Sequence, residues 1–156
     1  MIQKLNNRDE LVAIEIFNVF QRSYKVEAEL IGASYFPPLS RTVEDICSAT
    51  THFYGYFENQ NLAAVIEIVI VEKMLKIDSL TVDPSYFRKG IAGKLLNFAL
   101  TEFDAAKVIV ETATANAPAI KLYNKHGFVE SKRWLPAHGI EKVALAVDVC
   151  SQYSKY

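Results

Sequence analysis

The residues best suited to chemistry lie in one run, Leu80-Thr81-Val82-Asp83-Pro84-Ser85-Tyr86-Phe87-Arg88-Lys89-Gly90-Ile91-Ala92-Gly93-Lys94-Leu95-Leu96. It reads as an apolar strand, a proline stop, a basic turn carrying glycine, then an amphipathic helix. Backbone N–H groups at such a turn, at the positive end of a helix dipole, form a site for phosphate. Gly90, Ala92 and Gly93 let a bulky anion approach the main chain. An ordinary strand-to-helix turn uses similar residues; what favours the anion is the strand ending at Val82-Asp83-Pro84, Arg88 and Lys89 just before Gly90, and the apolar helix after it. Without Gly-Lys-Ser/Thr the turn is not a nucleoside-triphosphate P-loop. Without G-x-G-x-x-G near the start and an acid downstream, it does not mark a dinucleotide fold. A second run, Asn116-x-x-Ala119-x-x-x-Tyr123-x-x-x-Gly127-Phe128, follows at the distance one more strand and loop require.

These residues need a scaffold, and the hydrophobic periodicity supplies one. Residues 9–20 read as a helix, with Val12, Ile16, Val19 and Phe20 on one face. Residues 24–40 are ambiguous: a short helix over 26–31 is possible, and Pro37-Pro38 breaks whatever precedes it. Thr42-Val43-Glu44-Asp45 resembles a capping box that starts a helix to Ser48. Residues 52–58 are strand-like, Asn59-Gln60-Asn61 reads as a hairpin turn, and strands follow over 62–71 and 75–82. After the glycine turn, Ile91, Leu95, Leu96, Ala99 and Phe103 stripe a helix that should end near Asp104. Residues 107–112 form a strand, Pro118 suits the first turn of a helix, and Gly127 suits its left-handed cap. Strands over 128–134 and 143–149 follow. Strand and helix thus alternate in the second half, which predicts a mixed sheet with helices on both faces.

The totals fit this picture. The 156 residues are 51% hydrophobic and 22% charged, as expected of one soluble globular domain, residues 1–156. A net charge of −1 offers nothing to nucleic acid or an anionic membrane. The first residues lack the apolar core of a signal peptide, and the longest apolar run, near 63–71, is broken by Glu67 and too short to span a bilayer. Cys47 and Cys150 have no metal-ligand spacing or neighbouring base; they read as reduced thiols of a cytoplasmic protein, and no metal is expected. His52 and His138 are isolated, and His126 stands where it would face a helix C-terminus.

The run from Leu80 to Leu96 resembles the acetyl-CoA-binding signature of the GNAT superfamily of N-acetyltransferases, Gln/Arg-x-x-Gly-x-Gly/Ala. Gly90 and Ala92 fit it, while Phe87 stands in place of the first polar residue. The run from Asn116 to Phe128 is similar to the second signature of the same superfamily. The resemblance covers residues 62–128 well. It implies a mostly antiparallel sheet of about seven strands, opened in a V between two central parallel strands, with acetyl-CoA as co-substrate in the opening. It implies that Leu80, Thr81 and Val82 offer main-chain groups to the pantetheine and acetyl group. Arg88, Lys89, Gly90, Ile91, Ala92 and Gly93 would hold the pyrophosphate through main-chain N–H groups, and Asn116 and Tyr123 would contact the cofactor.

For such a transfer an amine must lose its proton, and its ordinary pKa is about 10.4. A carboxylate can take that proton, a phenol can donate to the departing thiolate, and fixed N–H groups can hold the carbonyl oxygen. Tyr123 is the donor candidate; as a bare helix residue it would be a packed aromatic. Glu111 is the base candidate, five residues before Asn116, a position at which some protein N-terminal acetyltransferases of the superfamily carry a glutamate. Capping of a neighbouring loop, or a surface ion pair with lysine, explains it equally. Asp78 and Glu67, on neighbouring strands, are the reserves. Tyr35-Phe36-Pro37-Pro38 is read as a pocket wall or a packed aromatic loop; Glu27, Glu29, Glu44 and Asp45 as an attractor of an amine cation or a solvated face. The expected partner is a small-molecule or peptide amine, with a homodimer possible through Tyr153 and Tyr156. A non-catalytic acyl-CoA sensor and a transferase of another acyl group are the rival readings.

Overall fold

The computed structural model of the protein describes residues 1–149. Among the described residues, seven strands form one sheet in the order β1-β2-β3-β4-β5-β7-β6. They are β1 (Ile2–Leu5), β2 (His52–Glu58), β3 (Asn61–Val71), β4 (Met74–Val82), β5 (Lys107–Ala113), β6 (Val129–Trp134) and β7 (Lys142–Asp148). Only β4 and β5 run parallel; the other neighbours are antiparallel. The helices are α1 (Glu10–Leu30), α2 (Val43–Ser48), α3 (Ile91–Thr101) and α4 (Ala117–Lys125). The expected mixed sheet, with helices on both faces, is what forms.

Each face has its own core. On one, Ala13, Ile16, Phe20 and Tyr24 of α1 and Ile46 of α2 pack on Phe53 and Val65. On the other, Ile91, Leu95, Leu96 and Ala99 of α3 and Tyr123 of α4 pack on Ile66, Ile68, Leu75 and Ile77. Strand alternation sends β3 residues to both sides, which is why residues 63–68 are all buried.

Three expectations change. The first helix does not stop at Phe20; α1 runs unbroken for 21 residues. Asp9 caps it by accepting from the Leu11 N–H at 3.0 Å. Its buried stripe continues through Phe20, Tyr24 and Ala28, and glycine, at Gly32, first follows its end. Strand β1 has no hydrophobic alternation to mark it, being a short edge strand with Leu5 as its only buried residue. Helix α3 ends at Thr101, three residues before Asp104. The turns follow their chemistry. Asn59 and Gln60 both have positive φ, 50° and 68°, as do Glu72 and Lys73, 47° and 65°, the mark of two-residue type I′ hairpins. The Thr42–Asp45 capping box is present, and Gly127, at φ 91°, ends α4.

No helix among the described residues is long and apolar enough to cross a membrane. Cys47 is a free thiol. Cys150, Tyr153 and Tyr156 lie outside the described residues, and with them the expected dimer contact.

Candidate active site

The sheet opens at its parallel pair. Strands β4 and β5 are in register only from Met74↔Lys107 to Ile77↔Val110, yet β4 continues to Val82 and β5 to Ala113. Beyond Ile77 their facing edges have no strand partner, so main-chain N–H and C=O groups there are left to a ligand or water. A bulge falls at the same point: Ile77 pairs with Ile68 and Ser79 with Glu67, leaving Asp78 as the extra residue. One extra residue reverses the faces that follow. Before it, Leu75 and Ile77 face α3; after it, Leu80 and Val82 do, while the Ser79 hydroxyl turns to Glu67. Asp78 therefore sits at the fork itself.

The opening leads to the glycine loop. After β4, Asp83 folds the chain over by accepting from the Ser85 N–H at 3.0 Å, and it ion-pairs with Arg22 of α1 at 2.6 Å. Burial would raise its pKa, but the Ser85 N–H and the Arg22 guanidinium outweigh burial and lower it. Arg88 and Gly90 both take left-handed conformations, at φ 65° and 73°. Gly90 caps α3 with no side chain. The N–H groups of Ile91, Ala92 and Gly93 thus have no partner among the described residues, the expected orphans of a helix start. A hollow of about 280 Å³ lies over this loop, touched by Arg88, Gly90, Ile91, Ala92, Gly93 and Val82. The Lys89 side chain turns away and pairs with Glu58 at 3.1 Å. Phe87, in the position of the missing polar residue, also borders the hollow.

Leu80, Ala92 and Leu122 border both this hollow and a larger cavity of about 490 Å³ at the fork. Tyr123, Asn116, Asp78 and Glu111 all reach the larger cavity. The Asn116 Oδ1 caps α4 by accepting from the Ala119 N–H at 3.2 Å. Tyr123 is buried against Phe128, ring centres 5.5 Å apart. Burial, and after it the Glu27 carboxylate, pushes its phenol well above the tyrosine range, so it is protonated at neutral pH. Glu111 is flanked by Lys142 at 3.6 Å and Lys76 at 3.8 Å. Asp78 has no such partner among the described residues; burial, together with the Glu67 and Glu111 charges, raises its pKa against the pull of Lys76 and Arg41. The Thr81 hydroxyl donates to the Val65 carbonyl on the α1 side.

Glu67 lies below the cavity rather than in it, 2% exposed. Arg41 grips it with two bonds, 2.6 and 2.9 Å, and the Thr51 and Ser79 hydroxyls donate at 2.6 and 3.1 Å. Burial opposes its ionisation, but these donors prevail and its pKa is lowered.

Tyr24, Arg41 and Lys142 also border the cavity, and no motif in the sequence singles them out. Glu27, weighed as an attractor of cations or a solvated face, is half-buried on the cavity side of α1 and ion-pairs with no described residue. Burial raises its pKa despite Lys142. The only early signal was its place one turn after Tyr24. Phe36, Pro37 and Pro38 form cavity wall, while Tyr35 is exposed beside a neighbouring cleft.

Chemically, the fork and the hollow beside it offer unpaired main-chain donors, a protonated phenol and carboxylates on adjoining surfaces. Comparison with known proteins agrees with that geometry. The profile of the acetyltransferase (GNAT) family matches residues 14–128. UPF0157 protein YqkA of Bacillus subtilis (strain 168) is 37% identical over 141 residues, 90% of this chain and 41% of the relative. N-alpha-acetyltransferase 30 of Xenopus laevis is 39% identical over 77 residues, 46% of this chain and 28% of the relative. The chain thus matches well under half the length of either. Among solved structures, PaiA N-acetyltransferase from Thermoplasma acidophilum, in complex with coenzyme A, superposes with a TM-score of 0.77 at 17% identity, covering 95% of this chain and 98% of that one. The last shows likeness of fold.

Proposed function

The chain belongs to the acetyltransferase (GNAT) family, and on that premise we propose that it transfers an acetyl group from acetyl-CoA to a primary amine by direct attack in a ternary complex. The observation that carries this reading is the pair of adjoining hollows, sharing Leu80, Ala92 and Leu122, one over the Arg88–Gly93 loop and one reaching Tyr123 and Asp78 at the parted strands. The residues suit coenzyme A. Three orphan N–H groups and a glycine without Cβ suit its pyrophosphate. The free edge of β4 suits the amides of its pantetheine, with Asn116 at the mouth of α4.

In the proposed reaction Asp78 takes one proton from the ammonium, directly or through water. The neutral nitrogen attacks the thioester carbonyl, whose oxygen charge is held by β4 N–H groups. The C–N bond forms, the C–S bond breaks, and the second nitrogen proton passes, through water, to the departing thiolate as the amide forms. Tyr123 stabilises the thiolate by hydrogen-bond donation. Its raised pKa suits that role, because it keeps the phenol protonated, more than it suits full surrender of the proton to a thiol of pKa near 8.5. Asp78 is favoured over Glu111 because two ammonium groups already flank the latter.

The test is calorimetry with coenzyme A, then coenzyme A release from acetyl-CoA across a panel of amines. Micromolar binding with turnover supports the reading. Binding with no turnover on any amine supports a sensor instead, and no binding sinks both. Longer acyl thioesters on one amine decide the acyl class. Action on free amines or on protein amino groups, and a cytoplasmic setting, belong to this proposal.

A further inference from the structure

Resting on the transferase reading, we infer that the acceptor is a primary ammonium carried next to an apolar side group, the ammonium held by Glu27 and the apolar group by the wall of Tyr24, Phe36, Pro37 and Pro38. Two features of the cavity lead there. The first is charge. Five charged side chains touch the cavity from within the fold: Glu27, Asp78, Glu111, Arg41 and Lys142. Arg41 is committed to Glu67, and Glu111 to Lys142 and Lys76. Glu27 and Asp78 alone have no ion-pair partner among the described residues. A half-buried carboxylate without a cation is costly, and a cationic ligand relieves the cost. Asp78 stands at the fork where the proton must leave; Glu27, on α1, is the one left to hold the cation as it arrives.

The second feature is the wall beside Glu27. Tyr24 lies one helical turn before it, and the Phe36 ring meets the Tyr24 ring edge-on at 5.8 Å. Pro37 and Pro38 extend this surface, and Ile140 continues it from the loop before β7. Two consecutive prolines make a rigid wall, and the Arg41–Glu67 pair ties down its far end. No acid lies among these wall residues, so the part of the acceptor that rests on them is apolar.

The same chemistry occurs in free arylalkylamines and in the amino terminus of a peptide that begins with a large apolar residue. The test therefore measures both. Amines are titrated by calorimetry into the protein saturated with coenzyme A, and transfer is followed with acetyl-CoA. 2-Phenylethylamine and a peptide amide starting with Phe or Leu are set against ethanolamine, putrescine and a peptide starting with Gly. The apolar member of each group should bind about tenfold tighter or more, as expected for burying one large side chain. Whichever group turns over faster identifies the source. Glu27→Gln should raise amine KM about tenfold, leave coenzyme A affinity within about twofold and leave kcat comparatively unchanged, as for loss of ground-state binding. Phe36→Leu should lower the phenylethylamine-to-ethanolamine ratio. Transfer with putrescine or ethanolamine preferred, or a Glu27→Gln protein with wild-type KM, overturns this inference and leaves the transferase reading standing. A protein that ignores coenzyme A overturns the reading and the inference with it.

Discussion

Replacing Arg41 with methionine should destabilise the protein by an amount the structure lets one work out. Glu67 is 2% exposed and receives four donated bonds, two of them from the Arg41 guanidinium. The substitution keeps the side-chain bulk and leaves a buried carboxylate with two hydroxyl donors. Stripping one partner from a buried ion pair costs about 3–5 kcal/mol. Arg41 is itself 28% exposed, so water reaches its end of the pair, and the lower end, about 3 kcal/mol, is the better figure. Arg41 also lies 5.7 and 5.6 Å from the Phe20 and Phe53 rings, contacts that methionine partly keeps. With a urea slope of about 2 kcal/mol/M, the midpoint should fall by about 1.5 M. At about 2–4 °C per kcal/mol, Tm should fall by about 6–12 °C. The cycle is completed by Glu67→Leu and the double variant, unfolded in urea and followed by circular dichroism. The double variant should be more stable than Arg41→Met alone, because it removes the orphaned charge. The wild-type pKa of Glu67 is lowered, so its contribution is full above the unfolded value of about 4.3 and is lost as pH falls through the folded value. In Arg41→Met that dependence should reverse, acid relieving the buried charge. A loss below about 1 kcal/mol, or single losses that simply add in the double variant, would show Glu67 to be hydrated and refute the argument.

The remaining expectations concern the site. Tyr123→Phe should lower kcat about a hundredfold while coenzyme A affinity stays within about twofold, measured by steady-state kinetics and calorimetry; equal loss in both would make Tyr123 a packing residue. Asp78→Asn should abolish the acidic limb of the kcat/KM profile. That limb should lie above the ordinary aspartate value of about 3.9, with rate rising as pH rises through it, because the base must be ionised and its pKa is raised. If Glu111→Gln costs more than Asp78→Asn, the base is Glu111. Gly90→Ala meets no atom within 4 Å, so its stability cost is the left-handed backbone alone, about 1–2 kcal/mol or roughly 2–8 °C in Tm. A Cβ there also crowds the pyrophosphate, so coenzyme A should bind about tenfold more weakly.

Local chemistry was legible where one residue type decides the outcome. Pro84, Gly90 and Pro118 placed the loop and both helix starts, because few other residues fit those backbones. Alternation and β-branching placed β3, β4 and β5. The periodicity of the first helix fades at Phe20 because charged residues at 22, 25, 27 and 29 hide a stripe that Tyr24 and Ala28 continue. The roles of the carboxylates were the least legible part. Asp78, Glu67 and Glu111 lie on adjoining strands, and a period of two fixes their faces only if the register is unbroken.

One bulged residue changes that count. Were Asp78 paired in an unbroken register, Ser79 would share the face of Ile77 and point away from Glu67. Glu67 would lose a donor, and Leu80 and Val82 would turn away from the α3 side, where the two cavities adjoin. The bulge thus builds the Glu67 anchor and points the next stretch of β4 into the opening. It does so at the place where β5 departs, because a strand that has shifted by one residue cannot continue a parallel ladder in register. Sequence gives no direct sign of it: Ile77-Asp78-Ser79 reads as ordinary alternation. Fork, buried anchor and exposed acid meet at one inserted position: deletion of Asp78 would set Ile77 and Ser79 in succession opposite Ile68 and Glu67 and keep the Ser79–Glu67 bond, so it should cost turnover, as Asp78→Asn does, and spare the Glu67 anchor.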